Sequence, residues 1–281
     1  MSQETRNSED AELSPINSLI RAIQGIYQRN RLAIYLTLAV MAVWTVTSLT
    51  MNVSQEFYPS PLYIIDSLTV FQDMFITGAQ TTIIEIILGY VVGVTIGVVL
   101  GIAVAESFVF RQLSLPLIIL TYSIPHAIFA PLFTVWFGLG IHTVVLYISW
   151  FSFYPPFITT ITGFTQTSEE FYQLGEITGA TRWQMIRKIK IWEALPNITT
   201  GLKLAAQSSV IGAVIAEFIA GGGGLGTIIK SSTTTVETGS LFGALILLMV
   251  IGVTFFQIVS FVVDRFTTRN RGEGADTQTF Y

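Results

Sequence analysis

Cysteine is missing altogether, which removes disulfides, thiolate nucleophiles and thiolate metal sites. Histidine occurs only as His126 and His142, too few for a multi-histidine metal centre. Charge is scarce too. Asp, Glu, Lys and Arg make up 11% of the 281 residues, against about 25% in a soluble domain, which argues against an ordinary soluble enzyme. The chain has no GxxxxGK[ST] phosphate loop, so it carries no Walker-type nucleotide site. It also shows no compact Ser-His or carboxylate constellation, which leaves an intramembrane enzyme without its chemistry.

What the chain does have is apolar length. Hydrophobic residues are 51% of it and the mean hydropathy is +0.64. A bilayer core of about 30 Å needs about 20 apolar residues in a helix. Six stretches meet or approach that length: Leu32–Leu49, Ile83–Ala105, Leu113–Phe133, Thr143–Ile161, Ile198–Ala220 and Leu241–Val263. Pro116, Pro125, Pro131, Pro155 and Pro156 interrupt the third and fourth, a break that membrane helices tolerate where neighbours satisfy the freed backbone. The fold expected is an all-α integral membrane protein with six transmembrane helices.

Orientation follows from the basic residues. Apart from Lys203 and Lys230, every Lys and Arg falls before the first run, between runs two and three, between runs four and five, or in the tail. The pattern predicts cytoplasmic N and C termini, with Met51–Gln80 outside. Residues 1–14 and 267–281 are polar and are expected to be disordered, leaving 15–266 as one membrane domain. Ile16, Leu19, Ile20, Ile23 and Tyr27 recur at helical spacing. They fit either an amphipathic helix on the inner membrane face or an extension of span one.

Residues 163–197 are the most informative stretch. Thr167-Ser168-Glu169-Glu170 and Thr181-Arg182-Trp183-Gln184 both have the form of capping boxes. The first opens a short helix that stops near Gly179. The second opens a helix with Trp183, Ile186 and Ile189 near one face and Arg182, Arg187, Lys188 and Lys190 around the rest, ending or kinking before Pro196. Such a pair suits docking of a soluble partner below the membrane. A helical hairpin lying on lipid fits the pattern as well, whereas nucleic-acid binding does not suit a motif tethered so close to a bilayer.

Three further features stand out. Gly89, Gly93, Gly97 and Gly101 recur every fourth residue, so they lie close to one helix face and admit another backbone, from this chain or from a second subunit. Gly221-Gly222-Gly223-Gly224-Leu225-Gly226 lacks the Lys-Ser/Thr of a phosphate cradle and reads as a tight turn. Tyr122, Ser123 and His126 flank the Pro125 break, and Glu217 is an intramembrane acid. These four are the candidates for a translocation path. His126 could equally satisfy a freed carbonyl, and for Glu217 a structural role, hydrogen-bonding a neighbouring helix or the glycine turn, is favoured over lining the path.

The 163–197 stretch resembles the cytoplasmic loop of binding-protein-dependent ABC importer permeases, whose signature reads EAA, then Gly, then I-x-L-P. Gly179 followed by Ala180 and Arg182-Trp183, Ile189 and Ile191, and Leu195-Pro196 is similar to the nitrate, sulfonate, taurine and bicarbonate branch. Gln173, Leu174 and Gly175 stand in place of Glu-Ala-Ala, and Trp192 in place of the first proline. Tyr58-Pro59-Ser60-Pro61, Ile124-Pro125-His126 through Pro131, Phe137-Gly138-Leu139-Gly140, and Ala216-Glu217 with Gly224-Leu225-Gly226 resemble that branch in the same order.

The resemblance implies a transport subunit of the inner or cytoplasmic membrane that catalyses no covalent reaction and holds no cofactor of its own. It further implies a cytoplasmic ATPase dimer carrying ATP and Mg²⁺, a periplasmic or lipid-anchored solute-binding protein, and a second permease subunit, typically an identical copy. Gly175, Glu176, Thr178, Gly179, Ala180, Thr181, Arg182 and Trp183 match the ATPase-coupling positions. A secondary transporter or channel would instead call for an internal repeat and a charge relay, and neither is visible.

Overall fold

A computed structural model of the chain describes residues 32, 35–51, 53–166, 170–171, 175 and 177–270, without the side chains of 115, 117, 119, 121–122 and 268–270. The amphipathic segment expected at 16–27 and the first capping box at 167–170 lie wholly or largely outside the described residues. Among the described residues every regular element is helical. The chain divides at Tyr63–Ile64 into two compact units.

The first unit contains α1 (Tyr35–Thr50). Thr47 Oγ1 and Tyr58 Oη are hydrogen-bonded at 3.0 Å, and the Ser60 N–H donates to Gln55 Oε1 at 2.7 Å. These bonds fold the Tyr58-Pro59-Ser60-Pro61 segment back on the end of α1. A short helix, α2 (Pro61–Val70), follows.

The second unit holds the long helices. They are α3 (Gln72–Ala105), α6 (Ile141–Thr165), α7 (Arg182–Ala220) and α9 (Thr238–Asn270), and all four are long and apolar enough to cross a membrane. Between α3 and α6 come α4 (Phe108–Tyr122), a 3₁₀ turn at His126–Ile128 and α5 (Phe129–Phe137). The short α8 (Leu225–Thr235) precedes α9.

Several expectations need correction. The run Leu113–Phe133 is not one helix: the chain breaks at Ser123–Pro125, because Pro125 has no N–H and keeps the residue before it out of the helical region. Pro155 and Pro156, by contrast, lie inside an unbroken α6, and Pro196 lies inside a continuous α7. The irregularity in α7 falls earlier, as a π turn at Ile186–Lys190. The second apolar helix starts at Gln72 rather than Ile83, and α9 runs past the predicted tail boundary to Asn270. Apolar runs mark the lipid-facing part of a helix, whereas polar ends such as Asp73 in the first turn of α3 extend it at little cost.

Glycine sets the close contacts. A methyl group at Gly89, Gly93, Gly97 or Gly101 would collide with Ile148, Ser152, Pro156 and the Phe153 carbonyl, or Thr160, respectively, all on α6. The partner positions rise with the glycines, so α3 and α6 run parallel. Helix α7 packs against the same helix in the opposite sense: Gly201 meets Pro156 and Thr159, and Gly212 meets Phe151. Pro156 thus lies between Gly97 and Gly201, a flat ring where two glycine faces converge. Helix α9 returns antiparallel to α7, with Gly252 against Val210 and Lys203 Nζ bonded to Asp264 Oδ1 at 2.6 Å.

These senses bring the C-terminal ends of α3, α6 and α9 and the N-terminal end of α7 to one side. The glycine turn and α8 lie at the other. Replacing Gly97 with Leu should remove the α3–α6 contact and cost roughly 1–3 kcal/mol or more from overpacking. The thermal midpoint and monodisperse yield in detergent should both fall, and an unchanged midpoint would show that the contact is not tight.

Candidate coupling surface and membrane path

At the end bearing most of the basic residues, the chain turns twice within a few residues. Gly179 takes φ +63°, a left-handed conformation that glycine adopts without strain. The Ala180 N–H donates to the Gly175 carbonyl at 2.9 Å, and Thr178 Oγ1 donates to the same carbonyl at 3.2 Å. A six-to-one bond closing on a left-handed glycine is the Schellman way of ending a helix. Two residues on, Thr181 starts the next helix. The Gln184 N–H donates to Thr181 Oγ1 at 3.3 Å, and the Thr181 N–H donates to Gln184 Oε1 at 2.9 Å, a complete capping box. A Cβ on Gly175 would collide with the Met185 thioether, so the two short segments fold against each other. Glu176 lies outside the described residues.

This end presents apolar and basic groups together. Ile177 is 85% exposed and Trp183 68%, and Arg182, Arg187 and Lys188 are exposed beside them. Trp183, Gln184, Arg187, Lys188 and Trp192 line an open hollow of about 480 Å³. Exposed aromatic groups interleaved with cations are unusual on a solvated face and typical of contact surfaces. Lys190 departs from the expected pattern. It is buried, and its ammonium meets Glu106 at 2.7 Å.

The opposite end is closed by a buried acid. Glu217, on α7, is fully buried. Thr82 Oγ1 donates to its Oε1 at 2.7 Å, and the Gly226 N–H donates to its Oε2 at 2.5 Å. Thr82 Oγ1 in turn accepts from the Leu225 N–H at 2.9 Å. Gly221, Gly222 and Gly223 have φ of +77°, +120° and +87°, and a Cβ on Gly224 would strike the Glu217 carboxylate. The glycine run is therefore a turn wrapped round a carboxylate. Glu85, also fully buried, packs against Gly222. Thr82 carried no sequence signal, since it lies 135 residues from its partner.

The remaining path candidates sit at the break after α4. Helix α4 ends at Tyr122, and the Ser123 N–H donates to the Leu120 carbonyl at 3.2 Å. Ser123 is exposed and His126 half-buried. Tyr147 Oη donates to the His126 carbonyl at 2.9 Å, while the His126 ring stands 4.7 Å from Phe151 and 5.4 Å from Trp150. Glu217 and Ser123 thus differ in their surroundings. The first is locked into a turn, whereas Ser123 reaches a surface.

Residues 93–271, more than half of the chain, match the family described as binding-protein-dependent transport system inner membrane component. The chain belongs to this family. It is a multi-pass membrane protein, the permease subunit of an ATP-driven importer of the nitrate, sulfonate and taurine branch. It is similar to a formylaminopyrimidine transport permease of Halalkalibacterium halodurans, with 26% identity over 79% of this chain and 89% of the relative. A putative aliphatic sulfonates transport permease of Bacillus subtilis is 26% identical over 76% of this chain and 78% of its own length. Among solved structures, an inward-facing methionine ABC transporter chain matches with a TM-score of 0.59 at 18% identity, covering 71% of this chain and 97% of that one. That likeness extends the agreement to the fold.

The permease's glycine turn can be tested through the Thr82 hydroxyl. Thr82→Val keeps the side-chain volume but strands the Leu225 N–H and removes a donor from Glu217. It should cost about 1–3 kcal/mol, read as a lowered thermal midpoint, while Thr82→Ser should stay near wild type. Equal midpoints for Val and wild type would deny the hydroxyl its role.

Proposed function

We propose that this permease crosses the membrane six times with both termini cytoplasmic, works as a pair of identical subunits, and imports a small nutrient handed over by an external solute-binding protein. ATP and Mg²⁺ reside in a cytoplasmic ATPase dimer, and the permease itself makes and breaks no covalent bond. The segment between α6 and α7, including Gly175, Glu176, Thr178, Gly179, Ala180, Thr181, Arg182 and Trp183, is the surface on which the ATPase docks.

The observation that carries this reading is the exposed Trp183 and Ile177 set among Arg182, Arg187 and Lys188 at the head of a 39-residue helix. At 1.5 Å per residue that helix is roughly 58 Å long, well beyond a 30 Å bilayer core. Its surplus length lies at the basic end, which the excess of Lys and Arg assigns to the cytoplasm. A force applied there reaches the outer turn through one continuous helix.

Ser123, Tyr122 and His126 border the path in this reading, and Glu217 does not. The relatives named for sulfonate and formylaminopyrimidine transport support a small polar nutrient without choosing between them.

Affinity purification of the tagged permease from native membranes tests the docking surface. The wild type should retain an ATP-hydrolysing partner, and the Trp183→Ala, Arg187→Glu double variant should lose associated hydrolysis by about tenfold or more at an unchanged thermal midpoint. Equal hydrolysis in both preparations, or none with the wild type, would overturn the assignment.

A further inference from the structure

The four basic residues of the Arg182–Lys190 segment do not share one environment. Arg182, Arg187 and Lys188 are exposed, whereas Lys190 is 8% exposed. Residues three apart on a regular α-helix are neighbours on its surface, yet Arg187 faces out and Lys190 faces in. The intervening backbone is the π turn Ile186–Lys190, a rare widening of the helix that recurs at functional sites. Its effect here is to separate one cation from the docking face and aim it at the membrane domain.

The group it meets is Glu106, immediately beyond the last residue of α3. Lys190 Nζ donates to Glu106 Oε1 at 2.7 Å, and the side chains are 10% and 25% exposed. An acid at a helix C-terminus faces the negative end of the macrodipole and is unfavourable without a compensating cation. The cation does not come from nearby in sequence, since the Arg111 guanidinium lies over the Phe108 ring. It comes from 84 residues away. A pair with both members largely withdrawn from water is much less screened than a surface pair, and removing either partner leaves the other poorly solvated.

The chain neighbours of the pair, Ala105 and Ile191, belong to one apolar cluster. It contains Phe164, Ala194 and Ile198, with Val98, Ile102, Ile186 and Leu202 packed around it. Gly163 permits the approach, because a Cβ there would stand 2.9 Å from the Ala194 Cβ. The ends of α3 and α6 and the start of α7 therefore meet at a dry junction, with one ion pair spanning α3 and the coupling segment.

We propose that Glu106 and Lys190 form the strut that carries motion of the coupling segment into α3, so that the helix bearing the glycine face moves with α7 rather than sliding past it. Both are positioning residues: neither touches solute or nucleotide. The inference rests on the reading of this segment as an ATPase dock, and ATPase retention is measured alongside so that the two can fail separately.

The test uses the assembled complex with one introduced cysteine, Ser123→Cys, in a permease that has no other. A membrane-impermeant thiol reagent is applied from the outer side, with and without non-hydrolysable ATP. Glu106→Gln and Lys190→Met should keep the ATPase bound, yet shrink the nucleotide-dependent difference in labelling rate by at least about threefold. The exchanged pair, Glu106→Lys with Lys190→Glu, should restore it. A wild-type labelling difference in either single variant would overturn the strut, as would failure of the exchange to restore a difference that both single variants had lost. Loss of the ATPase from the unmutated complex would instead overturn the docking reading on which the strut depends.

Discussion

Helices in a bilayer gain little from burying apolar side chains, because lipid is as apolar as they are, so their association depends on how closely their backbones approach. The glycine face of α3 is the constraint on which the rest of this permease depends. Gly89, Gly93, Gly97 and Gly101 bring α3 against α6 along about three turns, and Gly201 brings α7 to the other side of Pro156. The result is a three-helix slab with parallel α3 and α6 and an opposed α7. The segment between α6 and α7, the Glu106–Lys190 pair and the turn around Glu217 are attached to its helices.

Helix α7 joins the two ends of that slab. Its head carries Trp183 and the exposed cations, and Glu217 near its tail holds the turn at Gly226 and α3 at Thr82. The charged contacts and the bonds of Glu217 lie toward the helix ends. Two longer hydrogen bonds lie between them, Ser152 Oγ to the Gly89 carbonyl at 3.4 Å and Tyr90 Oη to the Leu202 carbonyl at 3.3 Å. The middle is held by small residues and prolines. In the proposed function this arrangement suits a transport subunit moved from below, since a rigid middle delivers displacement from one end to the other.

Much of this was legible in the sequence. Four long apolar runs became long helices, the four-residue glycine spacing became one face, and Gly179 with Thr181-x-x-Gln184 became a helix stop and a helix start. The features that escaped are those fixed by distant residues. Pro125 breaks its helix while Pro155, Pro156 and Pro196 do not. A proline's local cost is the same in each case, and surrounding packing decides whether the helix survives it. The burial of Lys190 depends on a π turn and on Glu106, and the role of Glu217 on Thr82. No local pattern announces a hydrogen bond across 84 or 135 residues. The geometry ties Glu217 to Thr82 and Gly226 and turns Lys190 inward to Glu106.

The most direct test of a passive membrane gate driven by a separate ATPase is uptake by intact cells of the nutrient whose accumulation disappears when this permease is deleted. The measurement compares cells carrying the native partner ATPase with cells whose ATPase has a disabled phosphate loop, with the membrane potential and proton gradient kept intact. The account predicts that accumulation stops when the phosphate loop is disabled, although the permease remains in the membrane in normal amount. Continued accumulation driven by the ion gradients alone would contradict it.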